Sequence, residues 1–279
     1  MVKLDDMLFE VSSEIRLRIL ESLINGSATV TDISNQLNVS MTEASRHFNR
    51  LSQVRLIQKN PDRDYNITIL GKTVLTQLGP LEFTARHSDY FNSHNATRIP
   101  VKFLNRVNEL TDAVPTYAQR ANVMRSVEKI KNISLEAEKY YYSIIDNSSM
   151  NLVLYAEPDN ERTDFVKNKI ESGIMYRTLF PIGVEMDKIH PESLRGFIEL
   201  HRSGNFEFRI IERTDLFLHM NEKEVSLLAF PDMNDKFDYL GFEATDNRSI
   251  NWCNEVFTYY WNNSKPFFQP HSAISYHAF

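Results

Sequence analysis

The order of elements predicted for residues 12 to 70 restricts the fold of this chain more than any other feature. Apolar residues recur at helical spacing in residues 12 to 24, 29 to 37 and 40 to 53. Two β-prone runs, LIQKN and YNITIL, follow and are joined by the turn sequence PDRD. A helix beginning near Ser12, two short helices separated by about three residues, and a hairpin predict a helix-turn-helix with a wing.

Residues that satisfy free backbone groups mark the starts of the two short helices. Thr29 or Thr31 is the expected cap of the first, with Ile33 and Leu37 facing inward. Ser40 is the expected cap of the second, and Glu43 stands at the spacing of a capping box.

The helix that begins at Ser40 has two unlike faces. Ala44, Phe48 and Leu51 cluster on one side, and polar residues lie almost opposite. An α-helix fills the major groove, Arg binds phosphates or guanine edges, and Asn and Gln bind adenine edges. With flanking and wing residues added, the predicted DNA contacts are Thr42, Ser45, Arg46, His47, Asn49, Arg50, Gln53, Arg63 and Tyr65. An ordinary solvated surface helix shows the same pattern, and the helical wheel alone does not separate the two interpretations.

The stretch VSMTEASRHFNRLSQVRLI resembles the recognition-helix segment of ArsR-type winged-helix transcription regulators. The matching residues are Ser40, Ser45, Arg46, His47, Phe48, Leu51, Leu56 and Ile57. This resemblance implies a regulator whose partner is double-stranded DNA. The chain departs from the family pattern at Arg55, where a Gly is usual, so another way of making the turn is expected. Residues 40 to 60 also lack the paired cysteines of metal-sensing members, so thiolate metal sensing is not expected.

Two single residues are expected to have plain roles. His47 is expected to be a packing or phosphate-contacting residue rather than a pH switch, although an imidazole with a reference pKa of ~6.5 permits switching. Cys253, the only cysteine, lies in an amphipathic helix beside Trp252 and is expected to be a buried apolar filler. A single cysteine also excludes an internal disulfide.

Charge is unevenly distributed along the chain. The net charge is −6 in total, yet residues 1 to 75 are neutral, and residues 40 to 72 carry six basic side chains against three acidic ones. A small positive region therefore belongs to an otherwise acidic protein. No window approaches the ~20 apolar residues of a membrane span, so we expect a cytoplasmic protein that does not bind membranes.

The middle of the chain is expected to connect two domains. A Gly-Pro break and polar residues in 78 to 100 predict a boundary. Residues 101 to 113 and 117 to 146 are helix-like, and the second stretch suits either a connecting or dimer-forming helix or a helix packed wholly on its own sensor domain.

From residue 151 short β-rich runs alternate with helical ones and end in the helix NWCNEVFTYYWNN, which predicts an α/β layered domain. Residues 219 to 266, most clearly Cys253, Phe257 and Trp261, resemble the sensor domain of archaeal methanogenesis regulators (FilR-like) and the related TrmB-type sugar-sensing regulators. Such domains are similar in fold to phospholipase-D-type enzymes.

We therefore predict an α+β N-terminal winged helix-turn-helix joined by helices to a C-terminal α/β sensor domain with a phospholipase-D-like, catalytically degenerate sheet. The predicted domains are the winged helix at 1–78, a linker and helical connecting or dimerisation region at 79–146, and an effector-sensing domain at 147–279.

Catalysis is not expected. Phospholipase-D-type chemistry needs a Lys two residues after its His nucleophile and an Asp further on, whereas Asn221 follows His219 and no Asp comes before 232. The sequence lacks other enzyme signatures, and its histidines do not pair at metal-ligand spacing, so no catalytic residue, metal or cofactor is predicted. An effector pocket is expected where parallel strands end. Its candidate residues are Glu157, Arg177, Glu185, Arg213 and His219, each of which also fits a solvated loop charge.

These features predict a homodimeric transcription regulator whose C-terminal domain senses a small molecule or a partner. Two alternatives remain: an interaction adaptor in which the winged helix binds proteins, which the zero net charge of residues 1 to 75 favours, and a phosphodiesterase-like enzyme acting through His219.

Overall fold

A computed structural model describes residues 2–117, 123–150, 160–183 and 189–267, and the chain divides into two compact units, Met1–Glu82 and Phe83–Phe279. The helices and strands that begin in the first unit are α1 (Leu4–Val11), α2 (Glu14–Ser22), α3 (Val30–Leu37), α4 (Met41–Gln53), β1 (Ile57–Lys59), β2 (Tyr65–Ile67) and α5 (Ile69–Arg86). This order is the predicted winged helix-turn-helix. The prediction missed α1, because the first helix was expected to begin near Ser12.

Local caps fix the two helices of the helix-turn-helix. Thr29 and Asp32 form a reciprocal capping box at the start of α3, and Asn38 ends the helix in the left-handed region at φ 53°. The Ser40 side chain accepts a hydrogen bond from the Glu43 backbone N–H at 3.2 Å and so starts α4. The predicted caps at Thr29 and Ser40 are thus confirmed.

The apolar side of α4 lies in the core of the first unit. Ala44, Phe48 and Leu51 have no exposed surface. Phe48 and Leu51 pack with side chains of α2 and α3 that are equally buried, including Ile19 and Ile33. Burying a large apolar side chain contributes ~1.5–3 kcal/mol. This packing sets which face of α4 is left in solvent.

The wing is a short antiparallel pair. Ile57 pairs with Ile67 and Lys59 with Tyr65. Ala28 adds an isolated bridge to Tyr65. The turn that leads into β1 has Arg55 at φ +60°, in the left-handed region where Gly is usual. The expectation of a different turn geometry was therefore wrong, since the chain keeps a left-handed residue there and places an arginine in it.

The second unit is built on an eight-stranded mixed sheet. Its helices and strands are α6 (Ser88–Phe91), α7 (Val101–Leu104), β3 (Val114–Pro115), α8 (Val123–Glu136), β4 (Tyr140–Ile144), α9 (Asn147–Met150), α10 (Asn160–Glu171), β5 (Met175–Pro181), α11 (Pro191–Arg202), β6 (Phe206–Ile211), β7 (Phe217–Asn221), β8 (Val225–Ala229), β9 (Phe242–Ala244), α12 (Asn247–Asn262) and β10 (Lys265–Pro266), with 3-10 turns at Ala96–Arg98 and Val107–Leu110. The strand order is β10-β6-β5-β4-β7-β8-β9-β3.

Three central strands are parallel and the rest are antiparallel. β4, β5 and β6 run in one direction, and β7 turns back against β4. One face of the sheet packs on α12 and on residues 83–117, and the other packs on α8, α10 and α11. The predicted layered α/β fold of the C-terminal region is therefore confirmed, and its sheet is mixed.

The middle of the chain differs from the prediction. The expected helix over 117 to 146 is wrong in its last third, because α8 ends at Glu136 and Tyr140–Ile144 form the central strand β4. Consecutive tyrosines followed by Ile144 suit a strand buried on both faces. Ile133 near the end of α8 and Ala137 just after it are fully buried, so this end of the helix packs on its own unit. The Gly79-Pro80 break lies inside α5. The predicted strand NLVLYA falls outside the described residues.

Cys253 is a buried filler, as predicted. The thiol has no exposed surface, and burial raises its pKa well above the ordinary value, which makes it unreactive. None of the helices in the described ranges is long and apolar enough to cross a bilayer.

We predict that Arg55→Gly stabilises the first unit relative to Arg55→Ala by about 1 kcal/mol, because only Gly adopts φ +60° without a steric penalty. Both changes remove the arginine side chain, so their difference isolates the backbone effect. Urea unfolding of the two variants measures it. Equal midpoints would show that the left-handed conformation at position 55 costs nothing.

Candidate nucleic-acid interface and effector cavity

The outward face of α4 is a shallow polar concavity. Thr42, Ser45, Asn49 and Gln53 are exposed on it, and each lies three or four residues from the next. Their hydroxyl and amide groups are the types that hydrogen-bond to phosphates and base edges. The structure therefore gathers these four predicted contacts on one surface.

Arg46 is the free cation of this surface. Its side chain is exposed in the same concavity, and no carboxylate of the described residues forms an ion pair with it. A guanidinium outside any ion pair retains its charge for a phosphate or a guanine.

Arg50 lies on the same face but is engaged. Its Nε donates to both carboxylate oxygens of Glu10, at 3.2 and 2.9 Å, and its Nη2 donates to Glu10 Oε1 at 2.8 Å. The Phe9 ring centroid lies 5.0 Å from the guanidinium carbon. The predicted contact Arg50 is therefore present at the surface, but a carboxylate from α1 offsets its charge.

Glu10 is held in place from the other side by Arg16. Arg16 Nε lies 3.0 Å from Glu10 Oε2, and its side chain also donates to the backbone oxygens of Phe9 and Glu10. The hydrogen bonds from Arg50 and the charge of Arg16 lower the pKa of the Glu10 carboxyl below its ordinary value. Glu10 therefore stays ionised at neutral pH, and both arginines face a full negative charge.

His47 is a correction to the predicted contact set. Its side chain is buried with 6% of its surface exposed, and neither ring nitrogen has a hydrogen-bond partner among the described residues. Nε2 lies 3.7 Å from Glu43 Oε1, which is too far for a hydrogen bond. Burial is the main cause that lowers the His47 pKa, and the nearby charges of Arg16 and Arg46 add to it. His47 is a neutral packing residue and does not face a groove.

The wing contains one predicted contact that is exposed and one that is not. Arg63 is exposed in the turn between β1 and β2, at φ +69°. Tyr65 is buried, and its ring meets Phe48 edge-on with centroids 4.6 Å apart. Tyr65 therefore links the wing to the underside of α4 and is corrected from a DNA contact to a core residue.

Glu10, which adjusts the charge of this surface, is not among the residues that the sequence predicted. Its position depends on α1, and α1 was not predicted. The signal was present: Leu4, Leu8 and Val11 recur at spacings of four and three residues around it. No local pattern, however, pairs Glu10 with Arg50, forty positions away.

The residues predicted for an effector pocket do not form one site. Arg177 lies within β5, with its guanidinium 4.8 Å from the Trp261 ring on the α12 side of the sheet. His219 points to the other face, where Nδ1 lies 2.6 Å from the Tyr141 hydroxyl. Arg213 follows the end of β6. Glu157 and Glu185 lie outside the described residues.

A cavity of about 370 Å³ lies beyond the carboxyl ends of β5 and β6, where the sequence placed the pocket. Ile182, Ile210 and Ile211 supply apolar lining, and α12 contributes Tyr259 and Tyr260. The charged lining residues are Glu212, Arg213, Asp215 and Lys265. A volume of this size suits a small ligand.

One network orders the charged side of the cavity. Arg213 Nε donates to Asp215 Oδ1 at 2.6 Å, and the Tyr260 hydroxyl donates to Asp215 Oδ2 at 3.0 Å. The carboxylate raises the pKa of the Arg213 guanidinium, and burial raises the pKa of Tyr260. The tyrosine is therefore a neutral donor, while most of the Arg213 side chain remains exposed.

Asn221 stands where the catalytic lysine of phospholipase-D-type enzymes would be expected, and it has a structural role. Asn221 Oδ1 accepts the backbone N–H groups of Lys223 and Glu224 at 2.8 and 3.0 Å, and its Nδ2 donates to Ile133 O. It shapes the turn between β7 and β8. Among the residues that the structure describes, no group of three His, Cys, Asp or Glu is placed to hold a metal ion.

Helices α3 and α4 with the β1–β2 wing define the first unit as a winged helix-turn-helix, a class of DNA-binding domain. Residues 13–59 match the sequence model of a family described as bacterial regulatory protein, arsR family. Residues 13–59 thus carry a helix-turn-helix of the ArsR type, as the resemblance of the recognition helix implied, and this match supports a DNA-binding transcription regulator. No curated protein matches the chain.

Two solved structures are similar to the chain, with low sequence identity and low TM-scores. TrmBL2, an archaeal chromatin protein with a novel mode of DNA binding, has 15% identity and a TM-score of 0.39 over 95% of this chain and 100% of that one. A phospholipase D family member, Nuc from Salmonella typhimurium, has 9% identity and a TM-score of 0.34 over 50% of this chain and 89% of that one. Neither likeness carries functional information at these values.

We predict that His47 titrates below its reference pKa of ~6.5, since its burial favours the neutral form. The unfolded chain then binds a proton more readily than the folded one. The contribution of His47 to stability is full above pH ~6.5 and is lost as the pH falls below it. Following its Cε1–H resonance by NMR, assigned by its loss in His47→Gln, measures the midpoint. A midpoint above 6.5 would contradict this prediction.

Proposed function

We propose that the chain is a homodimeric, one-component transcription regulator that lays α4 in the major groove and places the wing beside it. The observation that carries this proposal is the exposed polar face of α4, where Arg46 stands free among Thr42, Ser45, Asn49 and Gln53. In an ArsR-type unit the second helix of the helix-turn-helix is the element that enters the groove.

The charge of this face argues for modest electrostatic affinity. Of the two arginines on α4, Glu10 offsets one, so each chain brings Arg46 and the wing residue Arg63 as its main cations. Non-specific DNA binding scales with the number of phosphates neutralised. A single unit would therefore bind weakly, and two units about one DNA turn (~34 Å) apart would supply the missing affinity. This requirement supports the homodimer.

We propose further that the second unit senses a small molecule in the cavity beyond β5 and β6. Its apolar lining suits a hydrocarbon body, and Arg213 and Lys265 suit a carboxylate. Lys265 is exposed and forms no ion pair with any described residue. A compound with an apolar body and a carboxylate, amino acids included, fits this arrangement.

We predict that Arg46→Ala weakens binding of the selected duplex about 10- to 100-fold, because one groove contact contributes ~1–3 kcal/mol. Selection from a random-sequence duplex library, followed by fluorescence anisotropy on the enriched sequence, measures the change. Sedimentation of the complex is expected to give two chains per duplex.

Arg18→Ala is the matched control, because it removes an exposed arginine from α2 and leaves α4 untouched. Binding by this variant is expected to equal that of the unmodified protein. Failure of the unmodified chain to enrich any duplex would contradict DNA readout and favour the adaptor, whose support is the zero net charge of residues 1 to 75.

We predict that a carboxylate ligand raises the melting temperature of the chain and that Arg213→Ala abolishes this shift. Thermal-shift measurements with a panel of amino acids and short carboxylic acids test this. Arg248→Ala removes an exposed arginine that does not line the cavity and is expected to keep the shift. A shift that persists in Arg213→Ala would exclude this cavity as its cause.

A further inference from the structure

We propose that Glu10 positions Arg50 to read a base edge, so that Arg50 provides sequence preference and adds little to phosphate neutralisation. This inference rests on the proposed function, because it requires α4 to face duplex DNA. It assigns a role to α1, a helix outside the residues that match the family model.

The Glu10 carboxylate is a fixed point. Its residue is 8% exposed, and its oxygens face Arg50 on one side and Arg16 on the other. Arg16 is itself 7% exposed and is tied to backbone oxygens at the end of α1. Because Arg16 is held by those backbone oxygens and in turn holds the carboxylate, Glu10 keeps the Arg50 guanidinium at a set place.

The orientation of the Arg50 guanidinium is also set. Glu10 takes the edge formed by Nε and Nη2, and the Phe9 ring lies against the group with its centroid 5.0 Å away. Phe9 is 60% exposed, so its ring lies at the surface beside Arg50 and not in the core. With one edge bonded and an aromatic ring beside it, the planar group loses little further freedom on binding DNA.

The remaining edge of Arg50 faces outward. Nη1 makes no hydrogen bond to any described residue, and 36% of the side chain is exposed in the concavity of α4. A guanidinium presents two parallel N–H groups from Nη1 and Nη2. Guanine offers two acceptors, O6 and N7, in the major groove, and a bidentate arginine contact discriminates by ~1–3 kcal/mol.

Arg50 and Arg46 differ in the charge that each can offer to DNA. Arg50 shares its charge with an ionised carboxylate and releases few counterions from DNA, whereas Arg46 has no such neighbour. Each phosphate neutralised steepens the dependence of log affinity on log salt by ~0.9. The salt slope thus reports whether Arg50 acts as a free cation.

The test compares the full chain with Glu10→Gln on a random-sequence 30-bp duplex between 50 and 200 mM salt. Glutamine keeps the shape of Glu10 and removes its charge. The salt slope is expected to steepen by about 0.9 per chain, which changes the ratio of affinities at the two salt concentrations about 3.5-fold per chain. Selection from a duplex library is expected to lose preference at a G·C position. An unchanged slope together with unchanged preference would overturn the inference.

Arg50→Lys is the second variant, and it keeps the inference testable if Glu10→Gln does not fold. Lysine retains the charge but lacks the bidentate edge. Affinity for random duplex is expected to remain within about twofold, while the same G·C preference disappears. If Arg50→Lys keeps the full G·C preference, the inference about Arg50 is overturned. The proposed function still stands in that case, provided that Arg46→Ala abolishes binding. An unmodified chain that binds no duplex would instead overturn the proposed function and this inference together.

Discussion

The packing of Phe48 beneath α4 determines what the recognition helix presents to solvent. Phe48 is fully buried against the core of the first unit, and the Tyr65 ring of the wing meets it edge-on. Because side chains of a helix repeat every 3.6 residues, fixing this one aromatic fixes the opposite face as well. The wing is attached through the same contact, so helix and hairpin are placed together rather than independently.

The buried carboxylate of Glu10 shows how the rest of the unit adjusts that surface. A charge at this depth is tolerated only because two guanidiniums bond to it. As a consequence, the charge of Arg50, one of the two arginines on α4, is offset within the protein itself. The positive region read from residues 40 to 72 is therefore smaller in the folded protein than in the sequence.

Sequence periodicity predicted what depends on local pattern and failed where distant residues decide. Short stretches of sequence determine several features that were predicted. These are the caps Thr29 and Ser40, the inward face of α4, and the alternation of strands and helices after residue 174. The pairing of Glu10 with Arg50 joins α1 to α4 across forty positions, and the burial of His47 depends on the packing of the whole unit. Tyr140–Ile144 follows a helix-like flank that masked its strand-forming tyrosines, and the structure pairs it with β5 and β7.

In the second unit, α12 is shared by the cavity and by the chain that follows α5. Tyr259 and Tyr260 line the cavity, while Trp252 Nε1 on the same helix donates to Phe103 O at 3.3 Å. The Arg106 guanidinium forms an ion pair with Glu255 at 2.6 Å. A ligand shifts a protein only through contacts that differ between two arrangements. Movement of α12 would change the cavity lining and the contacts to residues 103 and 106 at once, because the same well-packed helix carries both.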